Sequence, residues 1–145
     1  MRLKINLSGD LIGLDLGKSR TGVARINVHA RIAEPLDEIA MSGQFVDQVA
    51  CIVKDYEAAC IVAGVPRGLN GQETEQTKWA LEMIAQLQDV LSVPVFSVDE
   101  AGTTKAAEER VRPGQSVDSV AASIIVEDFL TEVIRGNVED VYVSS

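Results

Sequence analysis

The chain has 145 residues, of which 46% are hydrophobic and 24% are charged, a composition that excludes a disordered protein and predicts a single folded domain over residues 1–145. No apolar stretch is long enough to cross a bilayer and the first residues lack a signal-peptide pattern, so we expect a cytoplasmic protein without membrane contact. The formal net charge of −9 argues against a protein that coats nucleic acid through bulk charge, because such binding depends on lysine and arginine.

The charge is distributed unevenly along the chain. Residues 1–31 carry a balance of +4, whereas the remaining residues carry −13. A local positive field suits a phosphate-bearing ligand, although an ordinary solvated surface would also produce this pattern. The two cysteines, Cys51 and Cys60, lack metal-binding spacing, and His29 is the only histidine, so neither a zinc site nor a nucleophile paired with histidine is expected.

Three strands are predicted in the first forty residues. Leu11–Leu16 is a short apolar run that ends in the turn at residues 17–20, Thr21–Val28 is a second strand, and Ile32–Ile39 is a third. The short connections between them predict an antiparallel meander.

Helices and strands alternate after this meander. Helices are predicted from Phe45 to Tyr56, from Trp79 to Leu91, over 103–110 and over 117–134 with Ser116 as N-cap, and strands over 60–64, 94–98 and, more weakly, 141–143. A Gly/Pro/Asn loop spans residues 65–74. The predicted fold class is therefore α/β, with a mixed five-stranded sheet that has helices on both faces.

Acidic residues stand where these elements begin or end. Asp15 lies at the end of the first predicted strand between two leucines, where a carboxylate is costly to bury unless a cation or hydrogen-bond donors neutralise it. Asp99 and Glu100 follow the fifth core strand, and Asp118 lies in the first turn of the last helix. If the first strand is central, its later parallel neighbours end at the same edge of the sheet, and all of these carboxylates could face one cleft.

Converging carboxylates repel one another, and Mg²⁺ or Mn²⁺, which prefer oxygen ligands, would stabilise them. Two such ions about 4 Å apart can activate a water molecule and stabilise the leaving oxygen of a phosphodiester. Each residue also has an ordinary structural interpretation: Asp15 could hydrogen-bond the next turn, Asp99 could cap a helix, and Asp118 could complement a helix dipole. Asp99 and Glu100 remain alternatives as the ligand.

Four sequence blocks occur in the order typical of one protein family. They are G-L-D-L-G-K-S-R-T-G-V-A at 13–24, V-A-G-V-P through N-G to Q-T at 62–77, D-E-A-G-T-T-K-A-A-E at 99–108, and D-S-V-A-A at 118–122. On these motifs nearly the whole chain resembles the YqgF/RuvX family of RNase H-like proteins, known as Holliday junction resolvases or pre-16S rRNA nucleases. The resemblance implies an RNase H-like fold and a metal-dependent endonuclease for structured nucleic acid, either branched DNA in recombination or precursor rRNA in ribosome biogenesis.

The resemblance also implies roles for individual residues. It implies that the catalytic residues and Mg²⁺ or Mn²⁺ ligands are Asp15, Asp118 and the pair Asp99 and Glu100. Lys18 and Arg20 are implied to face the substrate, which agrees with their being the cations closest to Asp15 in the sequence. The loop over 64–77 is implied to face it as well, with the candidate substrate contacts Asn70, Gln76 and Thr77.

Two departures from the family pattern support an alternative. Ala101 and Gly102 stand where the family has an arginine and an apolar residue, and residues 110–117 are only lightly basic. A non-catalytic nucleic-acid or protein binding module on the same fold is therefore a second hypothesis. An actin-like or sugar-kinase-type nucleotide-binding domain is less favoured, because 145 residues cannot supply the second domain it needs. Symmetric cutting of a four-way junction would require a homodimer, whereas trimming RNA would suit a monomer.

Overall fold

The computed structural model describes residues 5–100, 103–139 and 141–143. The strands are β1 (Ile5–Leu7), β2 (Asp10–Asp15), β3 (Arg20–Asn27), β4 (Ala33–Ala40), β5 (Cys60–Pro66), β6 (Val95–Glu100) and β7 (Val141–Val143). The helices are α1 (Phe45–Asp55), α2 (Glu75–Val90), α3 (Thr103–Arg110) and α4 (Val117–Ile134). Ala101 and Gly102, where the sequence departs from the family pattern, lie outside the described residues.

The main sheet has five strands in the order β4-β3-β2-β5-β6, so β2 is central. β2, β3 and β4 pair antiparallel, which confirms the predicted meander, whereas β5 and β6 join β2 in parallel. Parallel pairing places the carboxyl ends of β2, β5 and β6 at one edge of the sheet, as the sequence predicted for a central first core strand.

Helices cover both faces of this sheet. Alternate side chains of β2 point to opposite faces: Ile12 and Leu14 pack in a core with apolar residues of α1 and α2, whereas Leu11 packs against α4. A smaller cluster joins α3 to the outer side of α4 through Ala107 and Ala121. The fold class is the predicted one, a mixed α/β sheet between helical layers.

The element ends differ from the predictions by a few residues. α2 begins earlier than the apolar pattern indicates because Thr74 caps it: the Thr74 hydroxyl accepts the Thr77 N–H, and the Thr77 hydroxyl accepts the Thr74 N–H. The predicted N-cap Ser116 is confirmed, because its hydroxyl accepts the Ser119 N–H at 3.3 Å.

The predicted strand at residues 141–143 is confirmed as β7, which pairs in parallel with β1. β1 was not predicted, because three residues are too short to show a strand period. Within the described residues, no helix combines the length and the apolarity that a membrane crossing needs.

Candidate active site

A cleft of about 440 Å³ opens at the sheet edge where β2, β5 and β6 end. Asp15 from β2, Glu100 from β6 and Asp118 from α4 all line it. The parallel register brings the first two to the same edge, and the first turn of α4 lies over that edge. The tertiary fold therefore gathers three carboxylates that are distant in the sequence.

Asp15 and Glu100 are partly buried and hydrogen-bond to each other. Burial raises the pKa of Asp15 to about 6, assisted by the charge of Asp118, while the hydrogen bond from Glu100 partly offsets this shift. Burial, followed by the charge of Asp15, raises the pKa of Glu100 to about 8. Because the hydrogen bond lowers the pKa of Asp15 and raises that of Glu100, Glu100 is the donor and Asp15 the acceptor.

Glycines make room for these carboxylates. Asp15 pairs with Gly22 on β3 and with Gly64 on β5. A Cβ at Gly64 would lie 2.8 Å from Glu100 Oε2, and a Cβ at Gly22 would clash with the backbone carbonyl of Asp118. The small residue at position 22 therefore lets the start of α4 approach the sheet and brings Asp118 to the cleft.

Asp118 is held by an arginine. Arg20, the first residue of β3, donates from Nε to Asp118 Oδ2 at 2.8 Å. The same Nε lies 3.6 Å from Glu38 Oε2 on β4, and the Ser116 hydroxyl donates to that Glu38 oxygen at 2.7 Å. Arg20 thus lies between two carboxylates, of which Asp118 lines the cleft.

Successive side chains of β6 point to opposite faces of the sheet. This alternation separates Asp99 from Glu100, which the sequence left as alternatives for the metal ligand. The Asp99 side chain is 72% exposed and accepts a hydrogen bond from Arg67 Nε at 3.0 Å. Glu100 lines the cleft with Asp15. Arg67 also lines the cleft, and the sequence reasoning did not single it out. Its position directly after the β5 strand end was the available signal.

The predicted substrate contacts occupy different surroundings. Lys18 is exposed in the turn between β2 and β3, and Asn70 is exposed in the loop after β5. Gln76 lies in the first turn of α2 and lines the cleft. Thr77 is fully buried, and its hydroxyl donates to the Pro66 carbonyl at 2.5 Å, so the structure places it in the helix cap rather than on the cleft surface.

The donors at the cleft fit a hard divalent cation. All three acidic side chains offer oxygen, which Mg²⁺ and Mn²⁺ prefer, and a cation would offset the burial and, after it, the mutual repulsion that raise the pKa of Asp15 and Glu100. Among the residues that the structure describes, no group of three or more histidine, cysteine or acidic side chains is arranged so that it could hold a metal ion as it stands. Asp118 is instead engaged with Arg20.

Comparison with known proteins identifies the family. The sequence model of the RuvX family, described as Holliday junction resolvase, matches residues 9–132. A protein of Roseiflexus sp. (strain RS-1) named "Putative pre-16S rRNA nuclease" is 33% identical over 132 residues, which cover 84% of this chain and 94% of that protein. A protein of the same name from Albidiferax ferrireducens is 38% identical over 124 residues, which cover 84% of this chain and 78% of that protein.

Solved structures support the RNase H-like fold. T. thermophilus RuvC, solved in complex with Holliday junction substrate, aligns with a TM-score of 0.63 at 14% identity and covers 88% of this chain and 97% of its own. The Fowlpox virus resolvase, solved with Holliday junction DNA, aligns with a TM-score of 0.54 at 10% identity over 86% of this chain and 99% of its own. From the family match over residues 9–132 and the relatives above 30% identity, this chain belongs to the RuvX family of Holliday junction resolvases.

Proposed function

We propose that this protein is a metal-dependent endonuclease that hydrolyses phosphodiester bonds in structured nucleic acid, with Mg²⁺ or Mn²⁺ as its cofactor. The observation that carries the proposal is the convergence of Asp15, Glu100 and Asp118 on one cleft. Membership of the RuvX family supports a nuclease, and the cytoplasmic location expected from the sequence is part of the same proposal.

In this proposal the residues of the cleft have two roles, metal binding and phosphate binding. A bound Mg²⁺ or Mn²⁺ would supply Lewis-acid chemistry, which activates water and stabilises charge on phosphate oxygens. Asp15, Glu100 and Asp118 would hold the cation, and Glu100 would give up its proton to do so. Lys18 in the turn and Arg67 on the cleft wall would bind substrate phosphates, because arginine and lysine form charge-assisted hydrogen bonds with them.

We favour precursor 16S rRNA as the substrate over a four-way DNA junction. The relatives at 33% and 38% identity are both named "Putative pre-16S rRNA nuclease". In addition, a single trimming cut does not require two active sites. Symmetric cleavage of a junction would require a homodimer in solution. Sedimentation of the purified protein with each substrate therefore accompanies the cleavage assay.

The direct test is cleavage by wild type and Asp15→Asn with Mn²⁺, on a precursor rRNA fragment and a four-way junction in parallel. We expect the cleavage rate of Asp15→Asn to be at least about a hundredfold lower than that of wild type, with an unchanged circular dichroism spectrum. Replacing a residue that only hydrogen-bonds a metal ligand lowers activity by about 10- to 100-fold, and replacing the ligand itself should lower it at least as much. Asp55→Asn, at the end of α1, is the matched control. Equal cleavage by wild type and Asp15→Asn would remove this site from the reaction.

One observation favours the second candidate, a non-catalytic binding module. Asp118 is engaged by Arg20 rather than free in the cleft. This candidate predicts RNA or protein binding that persists in Asp15→Asn, with no Mn²⁺-dependent cleavage by the wild type.

A further inference from the structure

We propose that Arg20 is a displaceable cation that holds Asp118 in the metal-free protein and moves to Glu38 when a divalent cation binds the cleft. The inference rests on the proposed function, because it takes Asp118 as a metal ligand. It assigns to Arg20 and Glu38 a positioning role that controls how readily the cleft binds metal.

The geometry gives Arg20 two partners within reach of one atom. Arg20 Nε lies 2.8 Å from Asp118 Oδ2 and 3.6 Å from Glu38 Oε2. A small rotation of the side chain would therefore exchange the first carboxylate for the second. The Arg20 side chain is 60% exposed, and exposed ion pairs are weak enough to exchange readily.

Electrostatics supply the reason for the exchange. A cation bound by Asp15, Glu100 and Asp118 would compete with the guanidinium for the Asp118 oxygens, and two positive charges on one carboxylate repel each other. Arg20 would then be left without its closest partner. Glu38, whose Oε2 already lies 3.6 Å from Arg20 Nε, would remain as the partner of that charge.

Glu38 is hydrogen-bonded to the N-cap residue of α4, the helix that contains Asp118. The Ser116 hydroxyl donates to Glu38 Oε2 at 2.7 Å and also caps α4, accepting the Ser119 N–H. Ser116 precedes Asp118 by two residues, so one short segment positions both acceptors of Arg20.

The experiment measures Mn²⁺ binding to the protein without nucleic acid, by the loss of the free Mn²⁺ electron paramagnetic resonance signal. We expect Arg20→Gln to bind Mn²⁺ about tenfold more tightly, and Glu38→Gln about tenfold more weakly, because coupling of this kind typically spans 5- to 150-fold. In the double variant the effect of Glu38→Gln should disappear, since no guanidinium remains to be relocated.

Matched controls separate this exchange from simple charge effects. Arg25→Gln removes a positive charge from the strand that begins at Arg20, and Glu34→Gln removes a negative charge from the strand of Glu38; Arg25 and Glu34 pair with each other. We expect both to change Mn²⁺ affinity less than threefold. Equal tightening by Arg25→Gln and Arg20→Gln, or an undiminished effect of Glu38→Gln in the Arg20→Gln background, would overturn the proposal.

The same titration distinguishes failure of this inference from failure of the proposed function. If wild type binds Mn²⁺ and Asp15→Asn does not, the metal site stands and the double-variant comparison alone decides the role of Arg20. If Mn²⁺ binding does not depend on Asp15, both the metal site and the displacement of Arg20 are wrong.

Discussion

At the scale of single residues, the protonation of Asp15 and Glu100 links their burial to metal binding. Their partly buried position raises both pKa values, so a cation that binds there must displace a proton. Metal affinity should therefore increase with pH across the neutral range. The same pair should destabilise the metal-free protein at high pH.

The neighbours Asp99 and Glu100 provide the sharpest test of the ligand set. We expect Glu100→Gln to abolish Mn²⁺-dependent cleavage and Asp99→Asn to retain most of it, because Asp99 is exposed and paired with Arg67. Initial cleavage rates at saturating Mn²⁺ measure the difference. A larger loss in Asp99→Asn than in Glu100→Gln would reverse the assignment.

The raised pKa values predict how stability depends on pH. The folded-state pKa values of Asp15 and Glu100, about 6 and about 8, lie above their ordinary values of 3.8 and 4.5, so the folded protein binds more protons than the unfolded chain. The resulting stability is fully present below about pH 4 and is lost as the pH rises through 6 to 8. Thermal unfolding in EDTA should show a Tm that falls over this range.

Glu100→Gln is the variant that tests this pH dependence. Without the Glu100 carboxyl, most of the decline in Tm between pH 6 and 8.5 should disappear. We expect the variant to exceed wild type by several degrees at pH 8, since each pKa unit corresponds to about 1.4 kcal/mol. Parallel Tm profiles for wild type and Glu100→Gln would contradict the assigned pKa of Glu100.

At the scale of secondary structure elements, the contact between β3 and α4 builds the cleft. Gly22 is paired with Asp15 across the sheet, and the Asp118 backbone lies directly above it. The same close approach occurs at Gly13, where a Cβ would lie 2.6 Å from the Ala122 carbonyl. The helix that carries the third carboxylate is therefore positioned by backbone packing rather than by side-chain contacts alone.

Gly22→Ala should separate α4 from the sheet at the cleft. We expect a loss of about 1–3 kcal/mol in the free energy of unfolding, the usual cost of overpacking, together with loss of cleavage. Urea unfolding measures the first and the nuclease assay the second. Gly43→Ala is the control, because a Cβ there would meet no atom within 4 Å. Equal stability of the two variants would contradict the packing argument.

At the scale of the whole molecule, an acidic protein must bind a polyanion. The net charge of −9 makes long-range attraction weak, so phosphate contacts near the cleft should dominate binding. Two arginines within residues 1–31 already have partners, since Arg25 pairs with Asp10 and Glu34, and Arg20 pairs with Asp118. Lys18 is the exposed cation in the turn directly after Asp15.

Lys18→Ala should lower affinity for structured RNA and reduce the slope of log K against log salt concentration by about one, because one phosphate contact is lost. Filter binding at several salt concentrations measures this slope. Lys54→Ala is the matched control, because Lys54 lies in the last turn of α1, which leads into the start of β5 at the opposite edge of the sheet. An unchanged slope for Lys18→Ala would exclude a phosphate role.

The amino-acid sequence by itself determined the family and the order and type of every element except β1, whereas the central position of β2 entered only as a condition that the structure then met. Alternating apolar runs, the Ser116 cap and the four motifs are local patterns, which can be recognised in the sequence without knowledge of the fold. They also placed Asp15 and Asp118 at element ends, where a sheet edge can gather them.

Only the tertiary structure decided which carboxylates meet and what holds them. Asp99 and Glu100 differ by one residue, so strand alternation and pairing partners, rather than composition, separate them. The engagement of Arg20 with Asp118 joins residues 98 positions apart, and the burial of Thr77 depends on packing around the α2 cap. These are long-range contacts, which depend on how the elements dock and leave no periodic signal in the sequence.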